Sequence, residues 1–243
     1  MQTRDIAYKS GDKILGGYFA VPDGNGKRAG VLVCHQGMGI TEHTRERARM
    51  LAEIGYAAFA LDMYGETAKS SEQAMALLQG LTGNPDELRN RALTGLAVLR
   101  DQSEVDTSRL AAVGYCFGGA VVLELARAAP DLRCVVAFHP GMSGPVSLPD
   151  NDDRKIPNCK VMVCAGAADP LVPPSAQVKF AALMDDAGAD WQFLSYGGAG
   201  HCFTDKSVDA MNIAHFRYHE PTDRRSWAAM RNLFDEAMGP VRI

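Results

Sequence analysis

The chain has 243 residues, 47% hydrophobic and 22% charged, enough to bury a sizeable core, so one α/β domain over residues 1–243 is expected. A net charge of −4 offers no basic field for nucleic acid, and no apolar run approaches the length of a membrane span. Residues 1–10 carry no apolar secretory segment, and the six cysteines form no C-x-x-C pair, so a cytoplasmic protein with reduced thiols and no zinc site is expected.

In chain order, residues 3–21 predict an antiparallel opening ribbon, with a strand signal at 17–21. Further strand runs follow at 31–34, 57–61, 110–113, 134–138, 161–164 and 191–196. Apolar residues recur at helical spacing over 42–54, 85–100, 120–129, 175–187 and 223–238. This alternation implies a doubly wound, mainly parallel sheet with helices on both faces. Two stretches, 64–84 and 141–158, lack clear periodicity and lie beyond strand ends, where they wall a site or simply connect elements.

Between the strand run at 110–113 and the helix-like run at 120–129 lies Gly114-Tyr115-Cys116-Phe117-Gly118-Gly119. A sharp strand-to-helix turn that presents a nucleophile needs small residues two before and two after it, and Gly114 and Gly118 meet that demand around Cys116. A lone cysteine before a glycine-rich helix start is more often buried structure, so the downstream groups decide. Asp169 follows the apolar run at 161–164, and His201 follows the run at 191–196, each in a loop after a strand. Nucleophile, acid, then histidine is the chain order of a hydrolase triad, and all three fall at strand carboxyl ends, where parallel sheets place ligands. Cys34, Cys134 and Cys164 read as core; Cys159 and Cys202 remain open.

Together with His35-Gln36-Gly37-Met38-Gly39 after the first parallel strand and Gly200-His201-Cys202-Phe203, these motifs resemble the dienelactone hydrolase family over nearly the whole chain. The resemblance implies an α/β-hydrolase fold and an ester or lactone hydrolase working without metal or cofactor, as a monomer or homodimer acting on a small molecule. Cys116 would attack the carbonyl, His201 would take and return the proton, and Asp169 would orient the imidazole. The backbone N–H groups of Phe117 and Gly37 would form the oxyanion hole. His35, Met38, Met63, Tyr64, His139, Phe203 and Asp205 are candidates for the pocket wall, or core.

Two departures stand out. Gln36 occupies the position of a glutamate that contacts the resting thiol in the family, so activation of Cys116 rests on His201 and the helix terminus. Asp205 occupies the position of an arginine that holds the substrate carboxylate. Arg89 or Arg91 could replace that charge, although helical spacing places them equally well on a solvated face. Uncharged esters, and neutral phosphotriesters attacked by the same thiolate, are therefore expected to suit the site. A glutamine amidotransferase-like reading would need an acid where Phe203 stands, and a non-catalytic ligand-binding relative would not need the intact triad. The His215, His219, Glu220 spacing lacks the companion residues of a metal site.

Overall fold

The computed structural model describes residues 1–144 and 152–241; part of the 141–158 stretch lies outside the described residues. The opening ribbon pairs β1 (Gln2–Ser10) with β2 (Lys13–Val21) antiparallel, Gln2 facing Val21. There follow β3 (Arg28–Cys34), α1 (Glu42–Glu53), β4 (Ala57–Leu61), α2 (Ser71–Thr82) and α3 (Pro85–Arg100). The second half contributes β5 (Val105–Tyr115), α4 (Phe117–Ala128), β6 (Leu132–Phe138), β7 (Lys160–Gly166), α5 (Pro174–Ala187), β8 (Asp190–Tyr196) and α6 (Glu220–Met238).

The eight strands order as β1-β2-β4-β3-β5-β6-β7-β8, with every pair from β4 through β8 parallel. The central strands read as unbroken apolar runs because helices cover both of their faces. Alternation along β3 sorts the two layers. Val31 and Val33 pack with Ala48 and Leu51 of α1 and with Phe234 of α6. Leu32 and Cys34 pack with Leu96 of α3 and Val121 of α4 on the opposite face. This is the doubly wound α/β-hydrolase architecture, with β1 and β2 as the antiparallel edge.

The 64–84 stretch is not irregular. It contains α2, started by Ser70, whose hydroxyl accepts the Gln73 N–H, and seated by Ala74, Leu78 and Leu81. Asn84 caps α3 in the same way, with Pro85 at the first helical position. Helix α4 begins at Phe117, three residues before the apolar periodicity starts, because Gly118 and Gly119 carry no signal of their own. Among the described residues, no helix is long and apolar enough to cross a membrane.

Candidate active site

Cys116 sits between the last residue of β5 and the first of α4, with φ 52° and ψ −112°. Such a conformation strains a residue with a Cβ and persists only where the surroundings over-determine it. They do so here. A Cβ at Gly114 would stand 1.9 Å from the Gly118 carbonyl oxygen, and one at Gly118 would stand 2.3 Å from that of Cys34. The Cys116 N–H donates to Phe138 O at 3.0 Å, which ties the turn to the neighbouring strand. Helix α4 and β3 therefore close around the turn and leave Cys116 partly exposed at the sheet's carboxyl end.

Asp169 lies in the turn after β7. Its Oδ1 accepts the Leu171 N–H at 2.8 Å and its Oδ2 accepts from His201 Nδ1 at 2.7 Å. Both side chains are fully covered. The His201 loop is fixed from outside by a short parallel bridge: His201 N–H donates to His215 O at 2.6 Å, and Arg217 N–H to His201 O at 3.2 Å. Gly200 is required beneath this bridge, since a Cβ would meet His215 O at 2.1 Å. His201 Nε2 is buried without a hydrogen-bond partner, and a ring nitrogen of His201 lies within 4.8 Å of the sulfurs of Cys116 and Cys202.

These contacts set opposite charges on the pair. The Cys202 thiol beside it, more than any other group, holds the Cys116 sulfur well below the ordinary thiol range; burial opposes this, and His201 and the Phe117 N–H assist. Burial works against charge on His201, but the Cys116 thiolate and the Asp169 hydrogen bond raise it to about 10. Both shifts favour a thiolate beside an imidazolium.

Gln36 is buried and contacts a thiol, but that thiol is Cys202, whose S–H donates to Gln36 Oε1 at 3.3 Å. Gln36 Nε2 donates to Asp205 Oδ2 at 2.7 Å and lies 3.1 Å from His43 Nδ1. Asp205 is accordingly 7% exposed rather than at an open pocket mouth. Its other oxygen caps the 3-10 turn Lys206–Met211 by accepting from the backbone and hydroxyl of Ser207. Burial raises its carboxyl, but His43, Ser207 and Gln36 outweigh that and hold it below the usual range. A chain of hydrogen bonds therefore runs from the Asp205 carboxylate through Gln36 to Cys202, whose sulfur lies within 4.8 Å of that of Cys116. Sequence reasoning leaves Cys202 undecided and assigns thiol activation to His201 and the helix terminus alone.

The remaining candidates divide. Tyr64 and Phe117 stack at 5.6 Å, and the Tyr64 hydroxyl is buried without a partner. Burial first, then the Cys116 charge, raises that hydroxyl's pKa. Met63 is buried beside it, and Met38 and Gly37 lie partly covered in the loop after β3. His35 spends both ring nitrogens on backbone, Nδ1 on Gln36 O at 2.6 Å and Nε2 on Met63 N–H at 3.1 Å, so it is a brace for two loops. His139 stands edge-on to His201 at 5.4 Å, with Nε2 on Thr204 Oγ1 at 2.8 Å; burial keeps it neutral. Phe203 packs into the core with Tyr115 and Phe138. His215 is exposed, and His219 bonds Thr222 at the start of α6, so that pair forms no ligand set.

Neither helix arginine is free. Arg89 pairs with Asp86 and Glu124, and Arg91 pairs with Glu87 and donates to Met63 O at 2.6 Å. Among the described residues, the one His/Cys/Asp/Glu group close enough to share a metal ion is Cys116, His201 and Cys202.

A family model described as the dienelactone hydrolase family matches residues 15–238. A curated putative carboxymethylenebutenolidase of Salmonella typhimurium is 28% identical over 235 residues, covering 91% of this chain and 83% of the relative. A solved protein named m3DLH is 41% identical with a TM-score of 0.90, covering 98% of each chain. A solved dienelactone hydrolase-like promiscuous phosphotriesterase from metagenomic libraries is 37% identical, also with a TM-score of 0.90, covering 98% of this chain and 99% of its own.

Proposed function

This chain belongs to the dienelactone hydrolase family, and from that premise we propose that it hydrolyses small uncharged esters or lactones through Cys116, His201 and Asp169. The observation that carries this reading is the buried cluster in which Asp169 holds His201 Nδ1 at 2.7 Å while the opposite ring nitrogen, free of other partners, stands beside the Cys116 sulfur. The thiolate attacks the carbonyl carbon, and the developing oxyanion is met by the N–H groups of Phe117 and Gly37. His201 then gives its proton to the leaving alkoxide. It next takes a proton from the water that attacks the thioester, and the acid departs as Cys116 returns to thiolate.

Support for an uncharged substrate comes from the charges around the site. Arg89 and Arg91 are committed to acids, so neither of these guanidinium groups is free to hold a carboxylate, and the acid Asp205 lies behind Gln36 and Cys202. Neutral phosphotriesters are a second substrate class, favoured by the 37% identity to a promiscuous phosphotriesterase. The thiolate would attack phosphorus and the same donors would meet the oxyanion.

The decisive variant is Cys116→Ala, assayed on a chromogenic aryl ester with circular dichroism as the control for folding. Turnover should fall by about a thousandfold or more. A folded variant with near wild-type turnover would exclude Cys116 as the nucleophile. In the parent protein, carboxylate-bearing dienelactone turned over faster than neutral aryl esters would exclude the uncharged substrate class.

A further inference from the structure

Cys202 has no role in the hydrolytic cycle beyond its contact with the nucleophile, yet it is the one other thiol among the described residues that reaches Cys116. The two sulfurs lie within 4.8 Å of each other. Both cysteines sit at positive φ, 52° and 56°, in loops fixed by neighbouring backbone. Cys34, Cys134 and Cys164 lie within separate strands and Cys159 just before β7, each buried, and none joins this group.

We propose that Cys202 is a resolving thiol, which converts a Cys116 oxidised by a small hydroperoxide into a reversible Cys116–Cys202 disulfide. The inference rests on Cys116 being the reactive thiolate of the proposed function. The Cys116 thiolate attacks one peroxide oxygen, so that an S–O bond forms, the O–O bond breaks, and the other oxygen leaves as an alcohol, or as water from hydrogen peroxide, after taking up a proton. The peroxide is reduced by two electrons and Cys116 becomes a sulfenic acid. The Cys202 sulfur then attacks the Cys116 sulfur. The S–S bond forms, the S–O bond breaks, and the departing hydroxide leaves as water with the Cys202 thiol proton.

The surroundings suit both steps. Cys116 is partly exposed, so a small peroxide reaches it, whereas Cys202 is 5% exposed and reacts only with what Cys116 presents. In the resting protein the negative charge of the neighbouring Cys116 raises the Cys202 thiol, which remains protonated and donates to Gln36. Oxidation removes that negative charge, and His201, having given its proton to the leaving alcohol or water, stands adjacent to relay the Cys202 proton to the departing hydroxide. Without a resolving partner, a sulfenic acid proceeds to the sulfinic and sulfonic states, which a dithiol does not reverse.

The test compares the wild-type protein with Cys202→Ser and Cys202→Ala after hydrogen peroxide treatment, then dithiothreitol. Aryl esterase rates are expressed relative to each protein's own untreated rate, and peptides are mapped by mass under non-reducing conditions. Wild type should recover most of its rate on reduction, and its inactive form should contain a Cys116–Cys202 linked peptide. The variants should recover less than about a tenth and carry sulfinic or sulfonic Cys116. Equal recovery in wild type and variants, or an inactive wild-type protein without the linked peptide, overturns the proposal. The peptide map reads the disulfide independently of turnover. Retained activity in Cys116→Ala would instead strike the proposed hydrolytic role while leaving the map to judge the thiol pair.

Discussion

Gln36→Glu places a carboxylate oxygen where Nε2 now stands, 2.7 Å from Asp205 Oδ2. Two full charges at that separation repel by about 6 kcal/mol at an effective dielectric of about 20. The side chains move and one carboxyl takes up a proton, so the realised cost is smaller, on the order of 2 kcal/mol. The introduced carboxyl would then have a raised pKa in the folded state. Above the ordinary glutamate range of about 4.3, the folded protein would keep a proton that the unfolded chain has released. A cost of about 2 kcal/mol corresponds to about 1.5 pH units, so the stability of the variant declines relative to wild type as pH rises from about 4 to about 6 and the deficit is level above about pH 7. Urea unfolding of both proteins at several pH values reads the difference. Parallel stability curves would refute the placement of Gln36 against Asp205.

Four further outcomes follow from the same geometry. Because the Cys116 sulfur stands beside the Cys202 thiol and His201, which hold it well below the ordinary thiol range, alkylation of Cys116 by iodoacetamide should be nearly constant from about pH 6 to about pH 9 in wild type. In Cys202→Ala it should rise with pH instead; superimposable profiles would contradict the contact. Asp169→Asn should lower kcat by about a thousandfold or more through misorientation of His201, with unfolding midpoints showing whether the fold survives. Gly114→Ala, with its Cβ 1.9 Å from Gly118 O, should cost more than about 3 kcal/mol in urea unfolding, and a loss below about 1 kcal/mol would contradict the close approach. Tyr64→Phe should lower kcat about tenfold with little change in KM if the unpartnered hydroxyl meets the oxyanion; an unchanged kcat assigns Tyr64 to packing.

The parts of the site that were legible in the sequence are those fixed by local geometry. Gly114 and Gly118 announce the turn because no other residue fits the approach of α4 to β5 and β3, and Asp169 and His201 follow strand runs that their apolar residues mark clearly. Cys202 was not legible as a thiol partner, because Gln36, which holds it, is 166 residues away and its orientation depends on a loop pinned by His215. Asp205-Lys206-Ser207 is a cap pattern, and a carboxylate spent on Ser207 and Gln36 does not face an open pocket. Helix α2 is weakly marked in the sequence because only Ala74, Leu78 and Leu81 of its residues are buried, too few to impose a strong period, although Ser70 marks its start.

The central claim, a covalent intermediate on Cys116, is tested most directly by acid-quenching the protein during turnover of a slowly deacylated aryl ester and mapping its peptides by mass. The account predicts an acyl group on the peptide that carries Cys116, absent from the Cys116→Ala variant, and discharged when the ester is exhausted before the quench. Steady turnover with Cys116 unmodified, or an acyl group that accumulates and clears on another residue, would contradict it.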